Sequence, residues 1–181
     1  MTAPLIDDVV STSAKSVVEN IRNAESIKEC ILLYILPLFN IDNLFSYKPD
    51  NDFIIIRDFN RFTRSNYNKM NSSVFRIKIG SLKDVYQKFN GDITHWTKRL
   101  HGDQDFMFKE IHNHIFWPDE WIQSYKWEMR GKPPMTRDSN GIRNFLEPGE
   151  PKILPDTSVA VFHGEPNPPQ CIDPWCKENW K

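Results

Sequence analysis

A single histidine stands where an alternating apolar run ends, in "SVAVFHG" over Ser158 to Gly164. A neutral imidazole is a metal ligand, a proton carrier or a fixed hydrogen-bonding post. In open α/β sheets, ligands gather beyond strand ends where several loops converge, so His163 is the first candidate site residue. A second group is "GDQD", Gly102 to Asp105, in which Asp103 and Asp105 flank the amide of Gln104. Acids placed like this also open helices, because they complement the N-terminal dipole, so the group reads as a site or as a helix start. Cys171 and Cys176, with His112 and His114 elsewhere, are zinc-donor types, and the gap from Ile172 to Trp175 is at the loose end of metal-site spacings. Ser72 and Ser73 read as a plain turn, and Trp117, Trp121 and Trp127 as core residues, given the area each buries. No "GxSxG" elbow and no "GxxxxGK(S/T)" or "GxGxxG" phosphate loop occurs, so serine-nucleophile chemistry and those nucleotide loops have no basis here.

The elements that must position these residues change character near residue 40. From Asp8 to Ile35, Val9, Val17, Val18, Ile21, Ile27 and Ile31 recur at mostly helical spacings, which predicts one or two amphipathic helices. "DFIIIRDF" (Asp52 to Phe59) is a continuous apolar run, as in a strand buried on both faces. "SSVFRIKIG" (Ser72 to Gly80) alternates, as in a strand with one wet face. "SLKDVYQKFNG" predicts a helix with Ser81 as N-cap and Gly91 after its end, and Gly102 to Ile115 predicts another. Trp121 to Arg130 reads as a strand, Gly131 to Pro155 as a loop longer than the about 12–15 residues usually left without structure, and Ser158 to Gly164 as the last strand. The proline-rich tail beyond it is expected to lack regular structure. This order implies an α/β domain over residues 41–170, preceded by a helical segment over 1–40 and followed by a tail over 171–181.

Composition narrows the partners. A chain of 181 residues buries one ordinary core. Lys plus Arg at 23 against Asp plus Glu at 24 leaves a net charge of −1, which offers no field for gathering nucleic acid. The longest apolar run, Cys30 to Phe39, contains a proline and is about half of the roughly 20 residues a bilayer crossing needs. No basic segment followed by an apolar one opens the chain, and three cysteines do not make a disulfide framework, so a cytoplasmic setting is expected.

Five stretches carry a resemblance: "DNLFSYKPDNDFIIIRDF", "NKMNSSVFRIKIGSLKDVYQKF", "HGDQDFM", "WPDEWIQSYKWEMR" and "VFHGEPNP". Their order and spacing over Ile41 to Pro169 resemble small bacterial and phage glycosyltransferases of the GT-A type, nucleotide-diphospho-sugar transferases distantly similar to glycosyltransferase family eight. The resemblance implies a partial GT-A-like mixed sheet with flanking helices, and transfer of a sugar from a nucleotide-sugar donor to an acceptor the sequence does not define. It implies that Asn71, Ser72 and Ser73 line the sugar pocket and that Asp103, Gln104 and Asp105 hold donor hydroxyls or assist transfer, with Asp103 and Asp105 as the catalytic candidates. It further implies that Lys126 in "SYK" and Gly164 bind substrate, and that His163 holds Mn2+ or Mg2+ at the diphosphate. A divalent cation would take up charge on the leaving group, and a glycine after the histidine lets backbone approach the phosphates.

The chain departs from that family in two places. Between Glu29 and Asp42 there is no acid, so the family's Asp-x-Asp metal motif is missing, together with most of the half that holds the nucleotide. Asn167 stands where the family often has a phosphate-binding lysine. Three hypotheses follow: a glycosyltransferase-like protein, a truncated and inactive descendant serving as a binding or interaction module, or a small metal-binding protein using the cysteine tail.

Overall fold

The computed structural model describes residues 35–37, 41–64, 66–131 and 135–180. The helical segment expected from Asp8 lies outside them, apart from Ile35, which opens a strand. In chain order the elements are β1 (Ile35–Pro37), α1 (Asp42–Ser46), β2 (Phe53–Arg57), β3 (Met70–Ile77), α2 (Lys83–Gly91), α3 (Ile93–Arg99), α4 (Asp103–Glu110), β4 (Ile115–Phe116), β5 (Ile122–Ser124), β6 (Met135–Arg137), β7 (Arg143–Phe145), β8 (Val159–Val161) and α5 (Pro174–Asn179). The strands form two three-stranded mixed sheets, β1-β8-β5 and β3-β2-β4, and a β6-β7 hairpin. β8 runs antiparallel to β1 and parallel to β5; β2 runs antiparallel to β3 and parallel to β4. The α/β class expected from the sequence holds at this level.

The apolar run of β2 is buried on both faces, as its lack of alternation implies. Ile54 and Ile56 pack with Val159, Val161, Trp117 and Ile122, while Phe53 and Ile55 pack with Met70, Met107 and Ile111. β8 divides its side chains in the same way: Val159 and Val161 join the first cluster, and Ala160 and Phe162 join a third with Tyr125, Met129 and Phe145. Period two then carries His163 to the side of Val159 and Val161, where Phe59 also lies.

Four expectations need correction. The stretch Trp121 to Arg130 is not one strand: β5 stops at Ser124, and Tyr125–Met129 forms a π-helical turn. Local side-chain bonds break the strand, because Ser124 Oγ accepts from Trp127 N at 3.0 Å and Glu128 Oε2 accepts from Ser124 N at 2.7 Å. Ser81 does not cap α2. Its hydroxyl bonds Lys78 O at 2.7 Å, the N-cap is Leu82, and Gly91 is the last helical residue rather than the one beyond. The segment expected as a loop from Gly131 to Pro155 contains the β6-β7 hairpin. The proline-rich tail holds α5, with Asp173 as N-cap and Pro174 at the first helical position, where proline is preorganised.

That tail is anchored through one buried carboxylate. Asp173 is fully buried, and its Oδ2 accepts from Arg130 Nε and Tyr125 Oη, each at 2.8 Å. Gly149 N donates to its Oδ1 at 2.8 Å. A Cβ on Gly149 would collide with the Arg130 guanidinium. Gly149→Ala should therefore displace Arg130 from Asp173 and cost about 2–3 kcal/mol, read as a fall in melting temperature of roughly 5–10 °C. An unchanged melting temperature would mean that this ion pair does not hold the tail.

Candidate functional site

Asp58 is the first residue after β2 and caps a short 3-10 turn, Phe59–Phe62. Its Oδ1 accepts from Asn60 N at 2.6 Å. Its Oδ2 accepts from Gln104 Nε2 at 2.6 Å. The carboxylate is 4% exposed, so these charge-assisted bonds replace the water it loses. Arg61 fastens the turn, donating to Arg57 O at 2.9 Å and pairing with Asp119 at 3.4 Å and Glu128 at 3.7 Å.

His163 faces this turn from the end of β8. Its ring stacks on Phe59 with centroids 4.7 Å apart and planes 16° apart, and lies near-parallel to Trp127 at 6.3 Å. Its Nε2 lies 2.6 Å from Ser124 Oγ, which ties the imidazole to the end of β5. Lys126 Nζ donates to His163 O at 3.3 Å. Burial pushes the pKa of His163 down to about 4, with Lys126 and Arg61 acting in the same sense and Asp58 opposing them. At neutral pH the ring is uncharged.

Between these walls lies a cleft of about 140 Å³, lined by Asp58, Phe59, Asn60, Asn71, Lys126, Trp127 and His163. Asn71 reaches it because β3 bulges: Ile55 pairs with Phe75 but the next residue, Ile56, pairs with Asn71. Ser72 to Val74 form the excess, and Ser73 N is held by Asn71 Oδ1 at 2.9 Å. The cleft thus carries a carboxylate, an amide, an ammonium group and a neutral imidazole beside an indole. Those are groups for holding hydroxyls, an anion and the apolar face of a ring.

Of the residues expected from the sequence, Asn71, Lys126 and His163 line the cleft. Gln104 is joined to it through Asp58. Gly164 adopts φ 70°, a left-handed conformation that favours glycine, and a Cβ there would sit 3.8 Å from Lys126 Nζ. Ser72 and Ser73 belong to the bulge beside it. Asp103 and Asp105 open α4 outside the lining, and Asp105 pairs with Lys69 at 3.7 Å on a partly exposed surface. The residue sequence reasoning missed is Asp58. Its signal was available: an acid that ends a buried strand satisfies the same strand-end rule that selected His163.

The divalent cation that the resemblance implies at His163 needs a set of oxygen ligands. Among the described residues Asp58 is the one carboxylate lining the cleft, with no second acid beside it. Among the described residues, His163 belongs to no group of three metal-ligating side chains, and Nε2 is engaged by Ser124. A single carboxylate beside an imidazole already engaged by Ser124 does not fit Mn2+ or Mg2+. The zinc reading of the tail fares differently: Cys171, Asp173 and Cys176 bring their donor atoms within 4.8 Å of one another, without His112 or His114. Among the described residues no helix is long and apolar enough to cross a membrane. Compared with family models, curated proteins and solved structures, the chain finds no match.

Proposed function

We propose that the cleft binds the sugar-phosphate end of a nucleotide-sugar donor, in a glycosyltransferase-like protein of partial GT-A type. The observation that carries this reading is convergence: Asn71, Lys126 and His163 come from three separate stretches of sequence and meet in one cleft, with Gln104 behind Asp58. The ammonium group of Lys126 suits a phosphate, Asn71 suits ring hydroxyls, and Trp127 suits an apolar sugar face. A cleft of about 140 Å³ is below the size of whole-ligand pockets and takes one ring or one phosphate at a time.

A second reading is favoured by a specific observation. The carboxylate in the cleft holds structural bonds, and no acid stands between Glu29 and Asp42, where the family's Asp-x-Asp would fall, so the chain would be a catalytically inactive binding module derived from such an enzyme. Calorimetry against a panel of nucleotide sugars, followed by a turnover assay on any that bind, separates the two. Micromolar binding is expected for at least one donor, and Lys126→Ala should weaken it about tenfold by removing a charge-assisted contact. Binding with turnover identifies an enzyme, and binding alone identifies the module. If the wild-type chain ignores the whole panel, both readings fall.

A further inference from the structure

We propose that Cys171, Asp173 and Cys176 form a structural zinc site that clamps the C-terminal segment against the back of the cleft wall. Two sulfurs and a carboxylate are donors that zinc accepts. All three residues are buried, with Cys171 at 2% exposure and Cys176 and Asp173 at 0%. Their donor atoms already lie within 4.8 Å of one another. Closing by about 1 Å reaches the roughly 3.5–3.8 Å separations that a tetrahedral ion with Zn–S near 2.3 Å imposes.

Local sequence brings the donors together. Cys171 ends the 3-10 turn Pro168–Gln170, Asp173 is the N-cap of α5, and Cys176 lies in the first turn of that helix. An N-cap side chain and one three positions later naturally approach each other. The carboxylate is held for the task as metal-bound carboxylates usually are, by outer hydrogen bonds: Tyr125 and Arg130 to Oδ2, and Gly149 N to Oδ1. A carboxylate oxygen has two lone pairs, so Oδ1 can take a cation as well as the Gly149 bond. The Tyr125 hydroxyl, which donates to Asp173 Oδ2, orients this carboxylate from outside the donor set.

Charge agrees with this assignment. Two thiolates and a carboxylate carry three negative charges; Arg130 and a divalent cation supply three positive ones, so the loaded site is neutral in an apolar surround. That surround is aromatic, since Tyr125 stacks on Phe162 at 4.3 Å and on Trp175 at 5.5 Å. The neighbours of Tyr125 in the π-helical turn, Lys126 and Trp127, line the cleft, so the site stiffens that wall from behind.

The test is metal content and cobalt spectroscopy on the full chain. Protein purified without chelator from zinc-supplemented cells should carry about one zinc per chain. After reduction and metal stripping, titration with Co2+ should give a thiolate-to-cobalt charge-transfer band, and Zn2+ should abolish it. Cys171→Ser should lose the band, and Tyr125→Phe, which keeps the ring stack, should weaken cobalt binding at least tenfold. No zinc at purification together with no cobalt band from the reduced wild type overturns the proposal. So does a chain isolated with both thiols joined in a disulfide that, once reduced, still binds no cobalt. Neither result bears on the nucleotide-sugar reading of the cleft.

Discussion

Acidification from pH 6.5 to pH 4 should cost the folded chain about 3 kcal/mol through His163, and His163→Gln should abolish that loss. The pKa of this imidazole falls from 6.5 to about 4 on folding, because burial disfavours its charged form. Below pH 6.5 the unfolded chain takes up a proton that the folded chain refuses, so stability declines as pH falls, and the decline ends once the folded form is protonated near pH 4. Each pKa unit corresponds to about 1.4 kcal/mol, which sets the total. Burial fixes the sign, Lys126 and Arg61 also oppose protonation, and Asp58 favours it too weakly to prevail. Glutamine at 163 can still bond Ser124, so packing loss stays small and the titration is isolated. Glu128 has the opposite sign. Burial raises its pKa against the bond from Ser124 N, so its proton uptake stabilises the folded form as pH falls. The measurement is therefore the difference between wild type and His163→Gln in denaturant unfolding at pH 7, 5.5 and 4. Parallel curves would show that the imidazole is solvated and carries no such penalty.

The sequence made the sheet strands legible where burial is two-sided. "FIIIR" lacks alternation because both faces of β2 meet core, and "SVAVF" alternates between two clusters, a period that puts His163 on the side of Val159 and Val161. It misled where side chains compete with backbone pairing. Tyr125 and Trp127 sit two apart as in a strand, yet the Ser124 hydroxyl and the Glu128 carboxylate turn the chain into a π-helical turn that presents Lys126 and Trp127 to the cleft. The bulge that frees Asn71 is a matter of register between β2 and β3, and register is set by pairing, which one strand's sequence does not show. "GDQD" fits a helix start as well as a site, and the structure shows the helix start. Asp103 and Asp105 open a helix, while Gln104 between them reaches Asp58. The tail helix was hidden by its prolines, one of which occupies the helix start, where proline belongs.

Asp58 and Gln104 should show a coupling energy of about 1.5–3 kcal/mol in a double-mutant cycle on stability. The pair joins the end of β2 to the first turn of α4 across 46 residues of chain, through a 2.6 Å bond from a neutral amide to a buried carboxylate. Asp58→Asn leaves an amide with one acceptor oxygen facing two donors, Asn60 N and Gln104 Nε2, so one of them loses its partner in a buried place. The expected cost is about 2–4 kcal/mol. Gln104→Leu fills the same space but strips one bond from a buried carboxylate, for about 1.5–3 kcal/mol. Once Asp58 is asparagine, losing Gln104 should cost little more. The same cycle read on ligand affinity divides the roles: if Asp58 only braces the wall, Asp58→Asn weakens binding no more than Gln104→Leu does. If Asp58 touches the ligand, its substitution weakens binding at least tenfold further. Additive stability losses, within about 0.5 kcal/mol, would show that the bond between them is not made in solution and that the cleft floor is set by packing alone.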